Sequence, residues 1–118
     1  MQESSMRREV LLLEEICSAG ERCLEIARAH SPRTLAGTVD ARDALLWNLS
    51  IVGEACGQLS EEFRTAHAEL PWSQPIRLRN RIVHGYWSVD LDLLHTVALQ
   101  DLPPFVARVR SVLNASVE

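Results

Sequence analysis

The sequence predicts an all-α fold, an antiparallel bundle of four to five helices in a single domain spanning residues 1–118. Two observations carry this. Apolar residues recur at helical spacing over long stretches, and those stretches are punctuated by proline and glycine rather than by hairpin turns. The chain also holds only three Trp, two Phe and one Tyr, with few β-branched runs, which leans away from an all-β fold. At 118 residues it can bury roughly 65% of its unfolded surface, enough for a core without staples.

The first helix is expected from about Met6 to His30, where Val10, Leu13, Cys17, Leu24 and Ala27 fall on one face. Ser31-Pro32 should end it, because the residue before proline avoids the helical region. Residues Gly37 to Asp40 read as a linker, with Asp40 as N-cap of the next helix. That second helix is expected over about Ala41–Ala66. Its stripe of Leu45, Leu49, Val52, Cys56, Leu59 and Phe63 is the cleanest core face in the chain. Gly53 and Gly57 interrupt it, and each costs about 0.5–1 kcal/mol relative to alanine. Close packing against a neighbour is the reason to expect for them. Pro71 and Pro75 bracket a turn around Trp72. A short third helix comes next over Ser73–Val83, ended by Gly85. The last begins near Asp90 and should be kinked or broken at Pro103-Pro104, since each proline removes a backbone donor and crowds the preceding turn.

Composition excludes several classes. No apolar run approaches the 18 or so residues a spanning helix needs. The opening MQESSMRREV lacks the pattern of a secretory leader, so no membrane and a cytoplasmic location are expected. Cys17, Cys23 and Cys56 form neither a disulfide framework nor a zinc-ligand pair, and read as buried thiols; no metal or cofactor is called for. A net charge of -4 argues against coating nucleic acid by bulk attraction. The charge is uneven, however. No Asp or Glu lies between Glu69 and Asp90, where Arg77, Arg79 and Arg81 give +3; the remainder, 9 basic against 16 acidic residues, is -7. A local anion site on an acidic body is therefore expected. All twelve basic residues are Arg, which suits bidentate phosphate contacts.

The chemistry concentrates in LRNRIVHGYWSVD, Leu78 to Asp90. His84 is a general acid or base suited to neutral pH. The arginines can hold a phosphate and stabilise charge as it develops. Tyr86 can hydrogen-bond or stack on a base. On a helix Arg77, Asn80, Arg81 and His84 share one face. Arg79 lies about 140° from His84 at 3.6 residues per turn. Either its side chain swings over, or its partner comes from a second protomer. A solvated Arg face with an incidental His is the alternative on residue types alone. Glu54 stands one step from the apolar stripe and is a candidate to support the site from behind, with Asn48 a weaker one. Trp47, Trp72 and Trp87 read as packing or interface anchors. His30, His67 and His95 lack motif neighbours and read as incidental.

The segment resembles the Arg-x4-His-x-Tyr signature of HEPN domains of the HepT-like group. Arg79, Asn80, His84 and Tyr86 match its positions. Val89-Asp90, Ile51-Val52-Gly53-Glu54-Ala55, Pro71-Trp72 and Asp101-Leu102-Pro103-Pro104 are similar to that group too, so the resemblance runs from about Asp40 to the C-terminal end. It implies a HEPN-type bundle and a metal-independent endoribonuclease toxin, usually a homodimer whose two motifs form one composite cleft. There His84 would be the acid or base, Arg79 would stabilise the phosphorane, and Asn80 would orient His84 or bind phosphate. Arg77 and Arg81 are RNA-binding candidates. The resemblance also implies an MNT-type nucleotidyltransferase antitoxin as partner, with Tyr86 as acceptor of AMP. The alternatives are a non-catalytic helical partner or nucleotide-binding subunit of a nucleotidyltransferase, and an inactive relic that only dimerises.

Overall fold

The structure, a computed structural model, describes residues 2–117. Met1, part of the stretch read for a leader, and Glu118 lie outside them. Among the described residues there is no strand, and no helix is long and apolar enough to cross a membrane. The molecule is elongated, 47 × 26 × 22 Å.

Helix α1 (Gln2–Ala29) is the long element on which the rest assembles. Its buried face runs through Leu13, Ile16, Cys17, Gly20, Cys23 and Ala27, a helical period. Helix α3 (Val39–Gln58) and helix α7 (Leu102–Val117) both pack on it, and α5 (Ser73–His84) packs on α3. At Gly20 an added Cβ would overlap the Val106 side chain, so the glycine lets α1 and α7 approach. Cys17, Cys23 and Cys56 are buried and unpaired, as expected. Burial pushes the thiols of Cys23 and Cys56 up to about 12, which keeps them protonated.

Three boundaries differ from expectation. After α1, Ser31 caps a short helix α2 (Pro32–Gly37), its Oγ accepting from the Thr34 N–H at 3.2 Å. Asp40 is not the N-cap of α3; Thr38 holds that place without a side-chain cap bond, and Asp40 sits in the first turn. An acidic residue there still favours the helix dipole. The expected Ala41–Ala66 helix is two helices. It stops at Gln58 and restarts as α4 (Glu61–Ala66), capped by Ser60, whose Oγ accepts from the Phe63 N–H at 3.0 Å. The buried Glu9 of α1 accepts the Ser60 N–H at 3.3 Å. The break is thus held by a tertiary contact, and Leu59 and Phe63 stay buried across it. That is why the apolar stripe ran on unbroken.

The chain then turns around Trp72. This residue is buried, donates its Nε1–H to the His67 carbonyl at 2.9 Å and packs edge-on against Phe105. After α5, a 3-10 turn (Tyr86–Ser88) leads to helix α6 (Leu91–Thr96), capped by Asp90 as expected: its carboxylate accepts from the Leu93 N–H at 3.2 Å. The predicted break of the last helix takes the form of a π turn (Val97–Asp101) directly before Pro103-Pro104. Leu102 N–H reaches back to the Val97 carbonyl, five residues away. The prolines offer no donor to the carbonyls four residues earlier and would crowd them; the wider turn moves those carbonyls aside.

Candidate functional site

Helix α5 carries every charged motif residue, and glycine decides how it sits. At Gly53 of α3 an added Cβ would overlap both Arg79 Cβ and the Pro75 carbonyl. The missing side chain lets the backbone of α5 lie against α3 at the position of Arg79. Gly57 is looser, with Ile76 at ordinary contact distance.

Arg79 is half-buried on the α3 side. Its guanidinium pairs with Glu54 at 3.2 Å and donates to Asn80 Oδ1 at 3.1 Å. Gln58 donates to the other Glu54 oxygen at 3.1 Å. Glu54 is thus the carboxylate against which the Arg79 guanidinium rests. Asn80 faces Arg79 rather than His84. Asn48, the weaker candidate, is structural: it is buried, accepts from Arg22 Nε and donates to the Ala44 carbonyl, both at 2.8 Å.

His84 closes α5 and is exposed, and no hydrogen bond or ion pair holds its ring among the described residues. The helix ends because Gly85 is next, its N–H on the Arg81 carbonyl at 2.9 Å. Gly85 is not in the left-handed conformation of the usual glycine cap; its φ is -143°. Two residues on, the Tyr86 hydroxyl donates a hydrogen bond to the Asp43 carboxylate of α3. That bond raises the phenol above its ordinary range. Asp43 also pairs with Arg42 at 3.4 Å. Asp43 was missed in the sequence: no spacing rule joins it to a tyrosine 43 residues away.

Within the single chain Arg79 and His84 line different hollows. Arg79 lines a hollow with Glu54, Trp47, Ile51 and Val83, whereas His84 lines another with Arg81, Leu93 and Asp90. Arg77 and Arg81 turn to a third hollow, on the side of α6 and α7. The Arg79 hollow lies in an apolar surface. Trp47 is 68% exposed there and Val83 49%. Trp87, beyond Tyr86, is 86% exposed, so neither it nor Trp47 packs inside the subunit, unlike Trp72. His67 stacks on Phe63 and His95 bonds the Ala27 carbonyl, both apart from the motif.

A helical bundle that carries Arg-x4-His-x-Tyr along one helix and the turn after it is of the HEPN-type class of domain. Within it, the chain belongs to the HepT-like ribonuclease family, whose model matches residues 14–112. It is 30% identical over 91 residues, 77% of this chain and 83% of the other, to a Thermococcus cleftensis protein described as "Probable ribonuclease HepT". Two further relatives are named as candidate RNases. One, from Caldanaerobacter subterraneus, is 30% identical over 60% of this chain and 63% of its own length. The other, from Methanocaldococcus jannaschii, is 32% identical over 60% of this chain and 65% of its own length. No solved structure matches the chain.

Proposed function

We propose that the chain is a metal-independent endoribonuclease that works as a homodimer, the toxin of a pair with a nucleotidyltransferase antitoxin. One observation carries this reading: a complete Arg79–His84–Tyr86 motif runs along α5 into the turn after it, in a chain of the HepT-like ribonuclease family. The apolar surface of Trp47, Ile51 and Val83 beside Arg79 supports the dimer, since a second copy would cover it and bring further motif groups to the same place.

In the proposed reaction the ribose 2'-oxygen attacks the adjacent phosphorus. The 2'-hydroxyl proton passes to an imidazole of His84, the bond from phosphorus to the 5'-oxygen breaks, and the leaving oxygen takes up a proton. The products are a 2',3'-cyclic phosphate and a 5'-hydroxyl. Arg79, released from Glu54, stabilises the extra negative charge of the phosphorane, and Asn80 steadies the guanidinium. Tyr86 is the proposed acceptor of AMP from the antitoxin. Each transfer would add a phosphodiester charge and a bulky nucleoside where RNA phosphate must enter. Intact mass after coexpression with the antitoxin should rise by whole AMP units, all mapping to Tyr86.

The test of the nuclease compares wild type with His84→Ala on RNA, with and without EDTA. Cleavage should fall by about 10²–10⁴-fold in the variant and be unchanged by EDTA. Equal cutting by both proteins removes His84 from the mechanism, and loss of cutting in EDTA contradicts the metal-free route. The separation of Arg79 from His84 within one subunit also suits the second reading, a non-catalytic helical partner of a nucleotidyltransferase. Under that reading neither protein cuts RNA, while the complex still forms.

A further inference from the structure

The side of α5 that faces α6 and α7 carries a site the motif does not account for. Arg77, Leu78 and Arg81 line a hollow of about 520 Å³ against the π turn. That volume falls in the range of small-molecule sites, about 300–1,000 Å³. Leu93, Val97, Leu102 and Phe105 make its apolar wall. Asp101, last residue of the π turn, lines it as well. The extra residue of a π turn rotates the downstream helix by about 100° round the axis, and such turns recur at functional sites. Neither Arg77 nor Arg81 forms an ion pair among the described residues, and nor does Asp101.

This hollow adjoins the one that His84 lines, the two sharing Leu78, Arg81 and Leu93. Arg77 and Arg81 edge the first hollow and Arg81 and His84 the second, so the pair reads as a trough with Arg81 at its middle. Arg81 stands about 4.5 Å of helix rise from His84, and Arg77 about 6 Å further.

We propose that this trough seats the nucleotide next to the cleaved linkage, with its base in the hollow, and that the site prefers guanine. The proposal rests on the ribonuclease reading above. Apolar walls take the face of a base, which single-stranded RNA can offer unstacked. The two free guanidiniums match the phosphate, on a chain whose net charge is -4 even with them counted. The carboxylate of Asp101 only accepts hydrogen bonds. Guanine presents N1–H and N2–H side by side to such an acceptor. Uracil presents a single N–H between two carbonyl oxygens, which the carboxylate repels. Asp101 is thus the specificity-determining residue, and Arg77 and Arg81 hold the strand.

Two readouts test this separately. In the first, the four ribonucleoside 5'-monophosphates are titrated into isotope-labelled protein while the backbone amides of residues 77–81 and 97–102 are followed. Guanosine monophosphate should bind roughly tenfold or more tighter than uridine monophosphate, the margin of one good bidentate contact. Asp101→Asn should remove that margin, and Leu93→Trp should block all four. Leu93 is 40% exposed, so the larger ring fills the hollow without entering the core. Equal binding of the four, or shifts confined to other parts of the molecule, overturns the proposal. No binding at all overturns it too and leaves the hollow to a protein partner. In the second, oligoribonucleotides differing at one flanking base are cleaved by wild type and Asp101→Asn. Preference for guanine should appear only in the wild type. RNA cut with the same pattern by both proteins sinks the base site and leaves the nuclease standing. Guanosine monophosphate bound in the hollow by a protein that cuts nothing sinks the nuclease and leaves the site.

Discussion

Tyr86 is the one phenol in the chain, which makes its surroundings directly measurable. The Asp43 carboxylate accepts its hydroxyl proton, so ionising Tyr86 means losing that bond and placing two negative charges together. The raised value is caused first by the hydrogen bond, and a folded-state value above the unfolded one favours the fold while the phenol is protonated. This contribution is present below about pH 10, the unfolded value, and fades as pH rises through the higher folded value. Tyrosinate absorbance should therefore appear above pH 10 in the wild type and shift down toward pH 10 in Asp43→Asn. An unchanged titration curve would show that Asp43 does not hold the ring. The same bond ties the segment after His84 to α3, and a nucleotide joined to the Tyr86 oxygen would have to break it. Glu54 plays a similar part for Arg79. The pair is partly exposed, so it adds little stability, about 0–1 kcal/mol at most. Its significance is that phosphate must displace a carboxylate to reach the guanidinium.

Among the elements, the contact of α3 with α5 matters most, because it sets the height of Arg79. Gly53 makes it possible, and a methyl group there meets backbone as well as side chain. Gly53→Ala should destabilise the fold by about 1–3 kcal/mol, as overpacking does. Urea unfolding would show this as a lower midpoint with an unchanged slope. A variant as stable as wild type would mean that α5 can ride outward freely. The remaining helices were legible to different degrees, for identifiable reasons. α1 and α5 could be placed from period and punctuation, and Asp90 could be read as a cap because its hydrogen bond is local. The split at Ser60 could not. The stripe from Leu45 to Phe63 keeps its period across the break, and the break is fixed by Glu9, about fifty positions away in the chain. The π turn is intermediate: Pro103-Pro104 announce an interruption, but not its form.

For the whole molecule, the decisive question is how many chains make one active cleft. If Arg79 of one subunit works with His84 of its partner, inactive single variants should complement each other. Mixing Arg79→Ala and His84→Ala subunits and letting them exchange should restore about a quarter of wild-type cleavage, since half the dimers are mixed and each of these keeps one of two symmetric Arg–His pairs. No recovery, with exchange confirmed by mass, would require both groups from the same chain. The exposed Trp47 and the Arg79 hollow lie on one surface, so in the proposed dimer the face that joins the subunits would also hold Arg79.

By itself the sequence determined the helical class, the buried faces, the Asp90 cap and the identity of the motif, because each depends on residues a few positions apart. It also showed a basic stretch on an acidic chain, a property of composition alone. Only the tertiary structure decided that Arg79 leans on Glu54, that Tyr86 reaches Asp43, and that Arg77 and Arg81 face a different hollow from Arg79. Those outcomes depend on how α5 is rotated and how closely it approaches α3. Rotation and approach are set by contacts between distant segments, above all by the space left at Gly53.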